Sequence, residues 1–205
     1  MTNLESDRNL TRRGIPTATN VDHVAYTVPD LDEAVEFFLD VLGADLLYRL
    51  DDVKDDESDW MRRQLDVHPR AHAQIAMLRL GPVTNVELFQ YEAPDQNVEI
   101  PKNSDYGGHH LAFYVEDVDA AAEYLRAQPG VTLLGEPQAI KDGPIAGDRW
   151  MYFRAPWGMQ MEILNMPAGM PYEQHTSARR FGPCASWAST DVGQPTHEMA
   201  GHDAL

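Results

Sequence analysis

Polar and apolar positions alternate along two stretches of the chain in the same order. Residues 21–38 (VDHVAYTVPDLDEAVEFF) and 108–125 (GHHLAFYVEDVDAAAEYL) share one polarity pattern. In each, a period-two run predicts a half-buried strand: His23-Ala25-Thr27 opposite Val24-Tyr26-Val28, and His110-Ala112-Tyr114 opposite Leu111-Phe113-Val115. An Asp then predicts a helix N-cap, Asp30 with Glu33 three residues on and Asp117 in the second copy. The first helix carries the apolar stripe Leu31, Val35, Phe38, Leu39 and Leu42 and is stopped by Gly43; Pro129-Gly130 ends the second.

Further strand-like runs follow each helix, and each copy closes on a strand that holds an acid among apolar residues: Glu87 in Asn85–Phe89 and Glu162 in Gln160–Leu164. A carboxylate in apolar surroundings is costly without a partner or a metal. One histidine and one glutamate per repeat therefore point to a cage for a divalent cation, His23, Glu87, His110 and Glu162, built from both halves. The predicted organisation is an N-terminal tail (1–18), a first module (19–100) with an insertion at 51–74, a second module (101–166) and a C-terminal extension (167–205).

Over about residues 21–166 this repeat resembles the vicinal oxygen chelate superfamily, the group of glyoxalases, bleomycin-resistance proteins and extradiol dioxygenases. The resemblance implies an α+β fold of paired βαβββ modules that curl into a half-open barrel around a metal. It also implies that His23 and His110 are first-strand ligands and Glu87 and Glu162 last-strand ligands. Two imidazoles and two carboxylates suit several first-row ions (Ni, Co, Zn, Mn or Fe) and, in six-coordinate geometry, leave two positions for vicinal substrate oxygens. The implied activity is that of a metal-dependent lyase or isomerase of the glyoxalase or epimerase type. It moves a proton through an enediolate, with Glu162 as first choice of base and Glu87 as alternative.

A second enzyme reading is an iron-dependent extradiol-type dioxygenase. Residues 151–162, MYFRAPWGMQME, follow the C-terminal half of that group's signature, with Tyr152, Ala155-Pro156, Gly158 and Glu162 in place. The upstream histidine is missing, because GPIAG occupies 143–147, and a fourth ligand at Glu87 fills the space a facial triad leaves for dioxygen. A third reading is a metal-free protein that sequesters a ligand in the same concavity.

Other positions carry weaker signals. Adjacent His109 and His110 cannot both face one side of a regular strand, and the repeat selects His110. Tyr152 and Arg149 are candidates for catalysis and substrate binding, whereas Trp150 and Trp157 read as packing. In the insertion, His68 and Arg70 are candidates to hold an anionic or carbonyl-bearing substrate beneath a lid.

Composition narrows the partners. Acidic residues outnumber Lys and Arg 33 to 16, which argues against nucleic acid or an anionic membrane. With Cys184 alone no disulfide framework forms within the chain, the polar start resembles no signal peptide, and a cytoplasmic protein working on a small molecule as a homodimer is expected. Tyr172, Phe181, Pro183 and Trp187 suggest an extension that wraps the barrel or a second subunit. His197–His202 misses the HExxH zinc-helix spacing by one residue.

Overall fold

The computed structural model describes residues 15–180. Phe181, Pro183, Cys184, Trp187 and the His197–His202 near-motif lie outside the described residues. The first module runs β1 (His23–Thr27), α1 (Leu31–Asp40), β2 (Asp45–Lys54), α2 (Trp60–Leu65), β3 (His72–Leu80) and β4 (Thr84–Glu92). The second runs β5 (Leu111–Tyr114), α3 (Val118–Arg126), β6 (Thr132–Ala139), β7 (Arg149–Arg154) and β8 (Gln160–Asn165), followed by a short 3-10 turn at Pro171–Gln174. Each module is one open four-stranded sheet, ordered β1-β4-β3-β2 and β5-β8-β7-β6.

The first strand of each module docks parallel on the last, which is what brings the two polar positions of a repeat together. Ala25 lies opposite Glu87, and Ala112 opposite Glu162. In both cases the acid faces the alanine two residues after the histidine. The remaining neighbours pair antiparallel. Register shifts along β2, between Leu46 and Tyr48 and between Leu50 and Val53, add bulges that curl this edge of the sheet.

Both predicted caps form. The Asp30 carboxylate accepts from the Glu33 N–H, and that of Asp117 from the Asp119 and Ala120 N–H groups. Helix α1 ends at Asp40, and Gly43 takes the left-handed conformation (φ 71°) that turns the chain toward β2. Gly130 (φ 73°) ends the second helical segment against Pro156, so closely that a Cβ there would lie 2.9 Å from the proline ring.

The strands bury one face against the helices. Ala76, Leu78, Val86 and Leu88 of the first sheet and Met151, Phe153, Met161 and Ile163 of the second join Leu31, Phe38, Val118 and Leu125 in one hydrophobic cluster shared by both modules. Trp157 of the second module meets Phe37 and Phe38 of α1 at ring-centroid distances of 5.4 and 6.5 Å. The Tyr124 hydroxyl donates to the Val41 carbonyl at 3.1 Å. The opposite faces of the sheets carry the histidines and glutamates. Among the described residues no helix is long and apolar enough to cross a membrane.

Part of the insertion at 51–74 is regular structure. Residues 51–54 complete β2, residues 72–74 open β3, and the segment between them folds around α2.

Candidate metal centre and adjoining cavity

In the second module His110 Nε2 stands 3.1 Å from Glu162 Oε2; in the first, His23 Nε2 stands 3.3 Å from Glu87 Oε2. Both carboxylates are largely withdrawn from solvent, with side-chain exposures of 13% and 17%. Each histidine is also held from behind. His110 Nδ1 meets the Asn103 side-chain oxygen at 3.0 Å, and His23 Nδ1 meets Asp22 Oδ2 at 2.9 Å. An oxygen at Nδ1 fixes the neutral ring's proton there and leaves the Nε2 lone pair aimed at the glutamate.

Two lone-pair donors so opposed fit a cation between them. Donor atoms on neighbouring octahedral positions, with bonds of about 2.1 Å, sit about 3 Å apart. Among the described residues no three histidine, cysteine, aspartate or glutamate side chains gather into one group able to hold a metal. Within one chain the donors are therefore arranged as two His–Glu pairs.

The surroundings of the two pairs differ. Across β7 and β8, Tyr152 lies directly opposite Glu162, whereas Met77 holds the same place opposite Glu87. The Tyr152 ring meets that of His110 edge-on at 5.1 Å. Burial and the Glu162 charge push the Tyr152 phenol above its ordinary value, while a hydrogen bond with Asn103 pulls the other way. The phenol is thus kept as a donor. Burial also raises the Glu162 carboxyl, and its contact with His110 opposes the shift. Asn103, which contacts both His110 and Tyr152, carries no signal in the sequence pattern. It sits outside the strands, in a loop where no periodicity marks it.

Arg149 is a correction. It lies an odd number of residues from Tyr152 in an unbroken register, hence on the helix-facing side of the sheet. Its guanidinium grips the Asp119 carboxylate with two bonds of 2.8 Å. Arg70 is likewise committed to structure, donating to the Asp55 carbonyl at 2.7 Å and the Ser58 carbonyl at 2.6 Å. His109 stacks on Tyr26 at 4.9 Å, on the helix side of the strands, away from the face that carries His110. Trp150 lies on the same face as Tyr152 and packs edge-on against that ring at 5.1 Å.

The family follows from the whole pattern. The sequence model of the Glyoxalase/Bleomycin resistance protein/Dioxygenase superfamily matches residues 22–153. The chain belongs to that superfamily.

Among its relatives is a 2-epi-5-epi-valiolone epimerase from an Actinomyces species, 65% identical over 179 residues, the match covering 87% of this chain and 97% of that protein. A lactoylglutathione lyase of Arabidopsis thaliana is 29% identical over 157 residues, which cover 74% of this chain and 46% of the plant protein. A solved glyoxalase family protein from Bacillus cereus has the same fold, with a TM-score of 0.55 at 22% identity, covering 75% of this chain and 99% of that one.

Beyond this superfamily frame, the chain has a cavity of about 700 Å³ beside its first module. Thr27 of β1 and Tyr91 of β4 contribute to its wall, facing Arg62 of α2 and His68 from the segment after it. Of the two insertion candidates, His68 lines this cavity, whereas Arg70 is not part of its wall.

Proposed function

We propose that the chain is a divalent-metal-dependent epimerase that inverts a carbon next to the carbonyl of a small polyhydroxylated ketone, of which 2-epi-5-epi-valiolone is the example its 65% identical relative supplies. The observation that carries this reading is the twice-built His–Glu pair, each with Nε2 turned to a carboxylate and Nδ1 held by an oxygen.

His23, Glu87, His110 and Glu162 are the proposed ligands. A divalent cation held by them would polarise the ketone oxygen and offset the negative charge that develops there as the neighbouring C–H proton leaves. Glu162 removes that proton, and the C–H electron pair passes into the carbon–carbon bond of an enediolate. Delivery of one proton to the opposite face restores the ketone with inverted configuration, and no net atom or electron is exchanged. The raised proton affinity of Glu162 suits a base that works near neutral pH. Tyr152 hydrogen-bonds a substrate oxygen next to the reacting carbon, and Glu87, on the other pair, is the carboxylate that returns the proton.

Because the described residues hold the donors as two separate pairs, we infer that a complete site draws one pair from each of two chains. A two-fold symmetric homodimer then has two equal sites.

Proton transfer is read directly by deuterium. The metal-loaded protein, incubated with 2-epi-5-epi-valiolone in deuterium oxide, incorporates solvent deuterium at the carbon next to the ketone as the epimer forms. Epimer formation with full retention of the original hydrogen contradicts the mechanism. Consumption of dioxygen in the same assay favours ring-cleaving chemistry instead.

A further inference from the structure

The 700 Å³ cavity lies at one end of the surface that carries His23 and Glu87. Thr27 is on the same face of β1 as His23, and Tyr91 on the same face of β4 as Glu87, since both pairs are separated by an even number of residues in unbroken register. Ala25 pairs with Glu87, and Thr27 is the next residue on that face, about 7 Å along the strand. The part of a ring held between His23 and Glu87 that extends along the strands in this direction would enter the cavity.

The walls are held in place before any ligand arrives. Arg70 clamps the carbonyls of Asp55 and Ser58, and the Asp55 carboxylate caps the N–H groups of Glu57 and Ser58 at 2.8 and 2.9 Å. Beyond α2, Asp66 adopts the left-handed conformation (φ 55°) and turns the chain into the cavity wall at His68. The Tyr91 ring lies flat against Phe89, with centroids 5.2 Å apart and planes 7° from parallel. That stacking fixes the direction of its hydroxyl.

Charge selects the class of ligand. The lining has one fixed positive charge, Arg62, and two negative ones, Asp66 and Asp95; the other polar groups are a hydroxyl, a phenol, amides and the imidazole of His68. A phosphate or carboxylate gains little from such a lining and is repelled by the two aspartates. Uncharged hydroxyls find donors and acceptors throughout, and the volume lies within the range of small-molecule sites.

We propose that this cavity receives the hydroxyl-bearing part of the substrate and selects an uncharged polyol ring over its phosphate ester, with Thr27, His68 and Tyr91 as the specificity-determining groups. The inference rests on the epimerase reading for the identity of the reacting ketone, but the binding it describes is measurable without turnover.

The test uses the metal-loaded, full-length protein and titrates it calorimetrically with 2-epi-5-epi-valiolone and, separately, with its monophosphate ester. Tyr91→Phe and Thr27→Val each remove one hydroxyl with little change of shape, and each weakens binding of the ketone about tenfold, as loss of one buried hydrogen bond requires. The Asp66→Asn/Asp95→Asn protein gains affinity for the monophosphate by about tenfold or more. Unchanged ketone affinity in both single variants overturns the proposal, as does a native protein that binds the monophosphate as tightly as the free ketone. If binding follows the cavity variants but no deuterium is exchanged, the epimerase reading fails and the cavity assignment stands. If deuterium exchanges normally and neither single variant alters affinity or KM, the cavity assignment fails alone. Binding of neither compound overturns both.

Discussion

His110 and Glu162 face each other at 3.1 Å because β5 docks parallel on β8 with Ala112, two residues after the histidine, opposite the acid. The same offset recurs in the first module, where Ala25 stands opposite Glu87. A His–Glu pair whose geometry is set by strand register tolerates little slippage, since a shift of one residue moves every side chain to the other face.

Asn103 is the support for this pair that strand pattern does not supply. Asn103→Ala removes the oxygen that meets His110 Nδ1 and frees the ring to turn. We expect metal affinity to fall about 10- to 100-fold, the usual effect of losing such an outer partner, with little change in folding. Competition with a chelator of known affinity measures it, and undiminished affinity removes Asn103 from the account.

Glu162 and Tyr152 are the groups of the second pair that the proposed chemistry uses. Glu162→Gln lowers kcat about 10²- to 10⁴-fold, the range of a lost general base. Tyr152→Phe keeps the ring against His110 but loses the hydroxyl, and lowers kcat/KM about tenfold. Metal content of each purified variant accompanies the kinetics. A Glu162→Gln protein with full metal and full activity assigns the base elsewhere.

Asp148 carries a pH dependence of stability. It is buried at 5% exposure, one of its oxygens has no hydrogen-bond partner, and burial raises its carboxyl above the usual 3.8 despite the guanidinium of Arg180 at 3.5 Å. Between the ordinary and the raised value the folded protein holds more protons at this site than the unfolded chain. Its contribution is therefore most favourable below that window, and stability falls as pH rises through it. Denaturant unfolding midpoints measured across the acid range show this slope, and Asp148→Asn flattens it; an identical slope in the variant contradicts the assignment.

Arg149 is expected to matter to the surface and not to the substrate. Arg149→Ala breaks its two bonds to Asp119 at the start of α3 and leaves KM unchanged. Steady-state kinetics with the proposed ketone decide it, and a raised KM would restore Arg149 to substrate binding.

Much of this arrangement was legible in the sequence because strand alternation and the duplicated pattern act locally. They marked His23 and His110, located the acids on the closing strands, and gave both Asp caps, all of which depend on spacing alone. Alternation also held the information that separates Arg149 from Tyr152, since an odd offset along one strand puts them on opposite faces. What spacing does not encode is contact through loops. Asn103 behind His110, the Arg70 clamp around α2 and the Arg180–Asp148 pair join residues whose approach is decided by how the finished modules pack.

The central claim is that each metal site takes one His–Glu pair from each of two chains. The direct measurement mixes two inactive proteins, His23→Ala/Glu87→Ala and His110→Ala/Glu162→Ala, after dissociation and reassociation. Random pairing makes half the dimers mixed, each with one intact and one doubly damaged site, so metal content and deuterium exchange return to about a quarter of the native level. If the mixture stays as inactive and metal-poor as its components while mixed dimers demonstrably form, shared sites are ruled out and the catalytic account built on them is wrong.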